Sequence, residues 1–392
     1  MSLHRNHHLT TGVLHQHGGR NPDLVDRAAV GVAHLGGGQD THGNVVTHCE
    51  RRCATHRRAK AAQPREQTLC LPPATRGLDL PVYGTLAQEV APGHDAGRME
   101  ATVNVNGVVT DGDQAVVSVF DHGFLYGDGV YETVRTYNRQ PFLLDRHLAR
   151  LRASADRLAL DVPPTDVDLE TRMRDTMRRV NPGGEVTLRI LITRGVGELT
   201  YDPAACARPT VVIIARPHSG IPDTMLRDGI SVVVASVLRN HPRSVDPSIK
   251  SNNLLNNVLA MQEAIRQGAY EAILLNHRGE LAECSQSNLF AVRDGVVLTP
   301  PLDAGLLEGV TRNFLFEVGA DIGVAVNEAV LREVDLERVD ELFITSTTRE
   351  VIPVVRVGDR PIGAGRPGPI ASRLLTRFRA LADTLTRTSG TS

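Results

Sequence analysis

The sequence predicts a mixed α/β (α+β) chain of two domains behind an N-terminal extension. Three observations point there. Residues 1–98 hold ten of the fifteen histidines and lack hydrophobic periodicity. From residue 101 onward, short β-branched runs alternate with stretches of helical spacing. The polar, proline-bearing stretch PHSGIPDTMLRD at 217–228 reads as an interdomain connection. The expected units are therefore 99–216, a linker over 217–228, and 229–392.

Composition narrows the function classes. At 392 residues the chain has material for two or three domains. A formal net charge of −2 gives no reason to expect nucleic acid or an anionic membrane surface. No apolar run approaches the roughly 18 residues that span a bilayer, and no secretory signal opens the chain. Five cysteines without regular spacing argue against a disulfide framework and suit a cytoplasmic protein. Cys49, Cys53 and His56, with His48, hint at a metal, but the spacing fits no common zinc module, so none is expected. Residues 1–98 read as a disordered extension, or as sequence upstream of a start at Met99.

In chain order, 102–105 and 115–120 read as strands about an Asn106–Gly107 turn. The glycine-rich 121–132, DHGFLYGDGVYE, reads as a loop, and 130–137 as a strand. Asp145 is expected to cap a helix reaching about residue 158, with Leu148, Leu151 and Leu158 on one face. A second helix covers 167–179, and strands follow at 186–193, 210–214 and 230–237. Leu254, Leu255, Val258, Leu259, Met261 and Ile265 mark a helix just after Lys250. Strands at 271–275, 288–292 and 296–298 lead to a helix over 309–318. Further strands are expected at 323–326, 341–345 and 351–355, with a closing amphipathic helix over 368–385.

Lys250 stands out. The chain has 43 basic residues, and only Lys60 and Lys250 are lysines. An arginine-biased chain that keeps a lysine suggests chemistry a guanidinium cannot do, such as Schiff-base formation through a primary amine. Chance survival is the ordinary alternative. Other candidates have ordinary alternatives too. Glu283 could be a solvated turn carboxylate, and Arg150 a surface arginine. Gly309-Val310-Thr311 opens a helix whose N–H groups suit an anion, or is simply a helix start. Thr345-Ser346-Thr347-Thr348 offers hydroxyls to a phosphate, or is a polar turn. Taken together, an amine, an anion site, hydroxyls, a guanidinium and a carboxylate meet the requirements of pyridoxal phosphate.

Residues 99–392 resemble the class IV aminotransferases, the fold-type IV pyridoxal-phosphate enzymes. The resemblance rests on YGDGVYE at 126–132, HLARL at 147–151, LRILITRG at 188–195 and IKSNNLLNNVLA at 249–260. It continues through ELAECSQSNLF at 280–290, LLEGVTR at 306–312 and TSTTREVIPV at 345–354. It implies a small α/β domain, a larger pseudo-barrel domain and a homodimer whose sites a neighbour's loop completes. It further implies that Lys250 carries the cofactor, Glu283 pairs with the pyridine nitrogen and Leu307 packs on the ring. Arg150, Val310, Thr311 and Thr347 would hold phosphate, and the Thr347–Thr348 backbone would face the substrate carboxylate.

The implied reaction moves an amino group between an amino acid and a 2-oxo acid such as 2-oxoglutarate. Arg189 resembles an arginine that branched-chain enzymes use near the substrate, which favours branched-chain L-amino acids. Leu254, however, stands where those enzymes often have a tyrosine. Tyr131 resembles a tyrosine of D-amino-acid transaminases. The stretch Val196-Gly197-Glu198-Leu199-Thr200-Tyr201 lacks the arginine and histidine those enzymes carry after TRG. A D-amino-acid transaminase, an aminodeoxychorismate lyase and a non-catalytic cofactor binder stay open.

Overall fold

The computed structural model describes residues 100–180 and 183–387. The extension and its Cys/His group lie outside the described residues. Among those described, no helix is long and apolar enough to cross a membrane.

The first sheet is antiparallel throughout, in the order β2-β1-β6-β5-β3-β4. Its strands are β1 (Thr102–Val105), β2 (Val108–Asp111), β3 (Gly129–Tyr137), β4 (Gln140–Pro141), β5 (Val186–Thr193) and β6 (Thr210–Pro217). Three helices belong to this stretch: α1 (His122–Tyr126), α2 (Leu144–Arg157) and α3 (Asp166–Met177). Leu148 and Leu151 of α2 and Leu169 and Met173 of α3 pack on Val130, Val134, Leu188 and Ile190 of the sheet. Alternation in β3 sorts its side chains. Val130, Glu132 and Val134 are fully buried beneath α2, while Tyr131 and Thr133 lie on the opposite face.

The second sheet runs β12-β11-β10-β13-β14-β7-β8-β9, with β15 beside β14. Its strands are β7 (Ile230–Val234), β8 (Glu271–Leu275), β9 (Leu281–Cys284), β10 (Asn288–Arg293) and β11 (Val296–Thr299). They continue with β12 (Val326–Glu328), β13 (Glu341–Ser346), β14 (Glu350–Val357) and β15 (Arg360–Pro361). The chain turns directly from β9 into β10, with Cys284 N–H donating to Ser287 O at 2.7 Å. The far edge therefore curls back toward the middle of the order, giving a half-barrel. The helices here are α4 (Asp223–Asp228), α5 (Leu255–Arg266), α6 (Val310–Asp321) and α7 (Pro369–Thr386). Phe314 and Leu315 of α6 and Leu374 and Phe378 of α7 cover Phe290 and Phe343 of the sheet.

Several local expectations need correction. Residues 115–120 form no strand: β1 is already paired on both edges, and Val116 is 81% exposed. The 121–132 segment holds the one-turn helix α1, capped by the Asp121 side chain. Asp145 sits in the first turn of α2 without capping it, where its charge still suits the helix dipole. Helix α5 buries Ala260 and Ala264, not its large residues. The small side chains let it approach β7 and β8 closely, leaving Leu255 and Ile265 exposed. Strand β9 was not anticipated, because Glu280, Glu283 and Ser285 disguise its apolar pattern. The late strand expected at 323–326 begins at Val326.

One buried carboxylate ties the sheets together. Glu350 accepts from Arg135 Nη1 at 3.0 Å and Tyr137 Oη at 2.7 Å, both on β3. It also accepts from Arg379 Nε of α7 at 2.7 Å. Replacing it by alanine strands the Arg135 charge in the interior. Glu350→Ala is expected to lower unfolding free energy by about 3–5 kcal/mol, read by chemical denaturation. A loss under about 1 kcal/mol would contradict this role.

Candidate active site

The ten residues singled out from the sequence all line one cavity of about 440 Å³ between the two sheets. Its walls are β3, β5 and α2 on one side and β9, β10 and the β13–β14 turn on the other. The 239–254 segment, α5 and the 307–311 turn complete it.

Lys250 is placed by its backbone. Its carbonyl accepts from Tyr131 N–H at 2.9 Å, and its N–H donates to Ser154 Oγ at 3.1 Å. Asn252 N–H donates to Gly129 O at 2.8 Å, so residues 250–252 extend the edge of β3. Nζ lies 4.5 Å from the centre of the Tyr131 ring. It has no hydrogen bond or ion pair among the described residues, unlike most charged groups around it.

Tyr131 and Arg189 share the open face of the first sheet as diagonal neighbours, with the Arg189 guanidinium stacked 4.0 Å over the ring. Arg189 likewise has no ion-pair partner among the described residues. Arg150 is more constrained. Its Nε and Nη2 grip Glu132 at 2.7 and 2.9 Å, and Nη1 donates to Glu308 O at 2.8 Å. Of its five donors, three are used and two remain.

Glu132 and His147 were missed in the sequence. His147 Nδ1 donates to Glu132 Oε2 at 2.8 Å, the only direction open to an ionised carboxylate. A carboxylate between Val130 and Val134 on an otherwise apolar strand face was the available signal.

On the second sheet, Glu283 projects from β9 and is buried. Its Oε1 accepts from Arg239 Nε at 2.7 Å, and Oε2 from Leu307 N–H at 3.1 Å. Asn288 Nδ2 donates to Leu307 O at 2.9 Å, so both polar groups of Leu307 are held. A Cβ on Gly309 would overlap Asn288 Oδ1, which accounts for glycine there. Gly309 caps α6 without a side-chain bond, leaving the N–H groups of its first turn open beside Val310 and Thr311. Thr345 Oγ1 and Ser346 Oγ, at the cavity wall, are buried without a partner. Thr347 and Thr348 complete the β13–β14 turn. Arg349 closes it by donating to Tyr270 Oη at 2.9 Å and Gln286 Oε1 at 3.0 Å.

These residues fit pyridoxal phosphate. The amine is uncommitted, the helix start and orphaned hydroxyls suit a phosphate, and Glu283 keeps acceptor capacity. Among the described residues, no group of three or more His, Cys, Asp or Glu is placed to hold a metal ion.

The comparisons with known proteins agree. The family model for amino-transferase class IV matches residues 129–357. A Methanocaldococcus jannaschii protein, provisionally named a branched-chain-amino-acid aminotransferase, is 39% identical over 277 residues, 71% of this chain and 95% of its own. The D-alanine aminotransferase of Bacillus licheniformis is 32% identical over 274 residues, covering 70% of this chain and 94% of its own. The structure of the T.th. branched-chain amino acid aminotransferase with pyridoxamine 5'-phosphate superposes with a TM-score of 0.69 at 31% identity. It covers 73% of this chain and 95% of that one.

Burial alone would raise the Glu132 pKa, but Arg150 and His147 more than offset it and hold the carboxyl well below the usual range. A carboxyl depressed in the folded state stabilises the fold above its unfolded pKa, about 4.3, and loses that contribution as pH falls. Urea midpoints measured from pH 6 downward are expected to drop steeply below about pH 4 in the wild type and less so in Glu132→Gln. Equal slopes in the two proteins would rule out this carboxyl as a source of the acid sensitivity.

Proposed function

The chain belongs to the class IV amino-transferases and uses pyridoxal phosphate, and from that premise we propose a branched-chain L-amino acid as amino donor and 2-oxoglutarate as acceptor. The observation that carries this reading is Arg189. It is an arginine with no ion-pair partner among the described residues, stacked on Tyr131 in the same cavity as Lys250. Such a group suits the distal carboxylate of a dicarboxylic 2-oxo acid. Ile249, Leu254, Val258 and Met261 line the same cavity and suit an aliphatic side chain.

In this reading Lys250 would hold the cofactor through Nζ. Arg150, the first-turn N–H groups at Val310 and Thr311, and Thr347 would hold its phosphate. Leu307 would pack on its ring, and Glu283 would keep its ring nitrogen protonated. When bound, the cofactor supplies an electron sink for the pair released at the substrate α-carbon. Lys250 Nζ would be the group that takes and returns the substrate α-proton. The Thr347–Thr348 backbone orients the α-carboxylate, and Tyr131 forms part of the wall beside it.

A homodimer belongs to this reading. Phe124 is 72% exposed, Leu199 69% and Tyr201 88%, and the Tyr126–Tyr201 ring contact at 5.1 Å joins the two segments that carry them. An apolar face of this kind suits burial against a second copy. Sedimentation should give twice the chain mass, and Phe124→Glu should shift it toward monomer. A monomeric wild type with full activity would sink the dimer.

The test of function is a single-turnover panel followed by the cofactor spectrum. L-leucine, L-isoleucine and L-valine should convert the wild type, with D-alanine and aminodeoxychorismate as competing arms. Lys250→Arg keeps the charge and should abolish turnover. Arg189→Gln should raise KM for 2-oxoglutarate by about tenfold or more while sparing the L-leucine half-reaction. Preference for D-alanine would replace the substrate assignment, and near-normal turnover by Lys250→Arg would defeat the mechanism.

A further inference from the structure

Glu283 has a charged neighbour to which the reading above gives no part. Arg239 lies between β7 and Lys250 and is 9% exposed. Its Nε donates to Glu283 Oε1 at 2.7 Å, and its Nη1 donates to Asn256 Oδ1 at 2.9 Å. Asn256 Nδ2 in turn donates to Leu238 O at 2.8 Å. The guanidinium is thus held by the base of α5, and Asn256 ties that point to the backbone before Arg239. The other groups acting on the carboxylate are the Leu307 N–H at 3.1 Å, Asn288 Nδ2 at 3.5 Å and the charge of Lys250.

A carboxylate and a pyridine nitrogen in contact share one proton. It resides on whichever group has the higher pKa. Burial of Glu283 dominates and raises its pKa, which favours the proton on the carboxyl; the charge of Arg239 is the largest opposing influence and limits that rise. Without that charge the ring nitrogen would lose its proton to Glu283, and the electron sink would weaken.

We propose that Arg239 is a positioning residue that acts through Glu283, keeping the carboxylate ionised and fixed so that the cofactor's ring nitrogen retains its proton. The proposal rests on the role given above to Glu283. It needs no contact between Arg239 and the cofactor or substrate. The charge of Arg239 is what matters, and Asn256 serves to hold it in place.

The experiment loads the protein with ring-15N pyridoxal phosphate and reads the nitrogen chemical shift from about pH 6 to 9. The wild type should stay protonated throughout. Arg239→Gln should move the signal toward the unprotonated position and lower kcat by about 10- to 100-fold, with a far smaller change in KM. Arg239→Lys should restore most of the protonated signal.

Glu283→Gln separates the two claims. If it leaves the shift unchanged, the reading of Glu283 itself fails. If Glu283→Gln moves the signal and Arg239→Gln does not, only the inference about Arg239 fails, whatever the glutamine costs in thermal stability. Should Arg239→Gln not fold by circular dichroism, Arg239→Lys decides: a protonated ring supports the proposal and an unprotonated one overturns it. A wild-type signal that titrates within that range also overturns it.

Discussion

Strand β3 is where the two halves of the site are joined in register. Its period of two sends Glu132 under α2 and Tyr131 into the cavity. Its edge then takes Lys250, Ser251 and Asn252 as a short added strand. A one-residue slip would invert every side chain on β3, exposing Glu132 and burying Tyr131. The apolar Val130 and Val134 make such a slip costly, because both are fully buried. Register at β3 therefore fixes the position of the lysine backbone relative to both Arg150 and Arg189.

The cavity concentrates positive charge in a poorly solvated place, and most of that charge is compensated locally. Arg150 has Glu132, Arg239 has Glu283, and Arg349 lies 4.0 Å from the fully buried Glu271. Isolated charges at such depth would be heavily penalised. Among the described residues that line the cavity, the pairs leave two cations uncommitted, Lys250 and Arg189, both beside the Tyr131 ring. Reactivity and recognition fall to the groups that the interior has not already neutralised.

The sequence made much of the strand pattern legible, since β5 and β8 match the expected residues and β10 differs by one. Apolar β-branched runs announce themselves. It failed where burial and polarity diverge. Strand β9 is buried at all four positions yet carries Glu283, so its chemistry hid its structure. Residues 115–120 alternate like a strand, but nearly all their large apolar side chains face outward. Helix α5 packs on two alanines, a signal too weak to outweigh the leucines beside them. Lys250 stood out by rarity, and Glu283 and the Leu307–Thr311 turn by their motifs. Arg239 carried no such mark: it precedes the lysine in a stretch without regular structure. Only the fold brings it against a carboxylate 44 positions away.

The scarcity of primary amines has a practical side. Lys60 and Lys250 are the chain's only lysines, and the side chain of Lys250 opens into the cavity unencumbered. Reagents that acylate amines pass over guanidinium groups. Acylation of this molecule thus meets very few side chains, and occupancy at position 250 becomes a direct gauge of how open the cavity is. Proteins rich in surface lysine do not permit so simple a count.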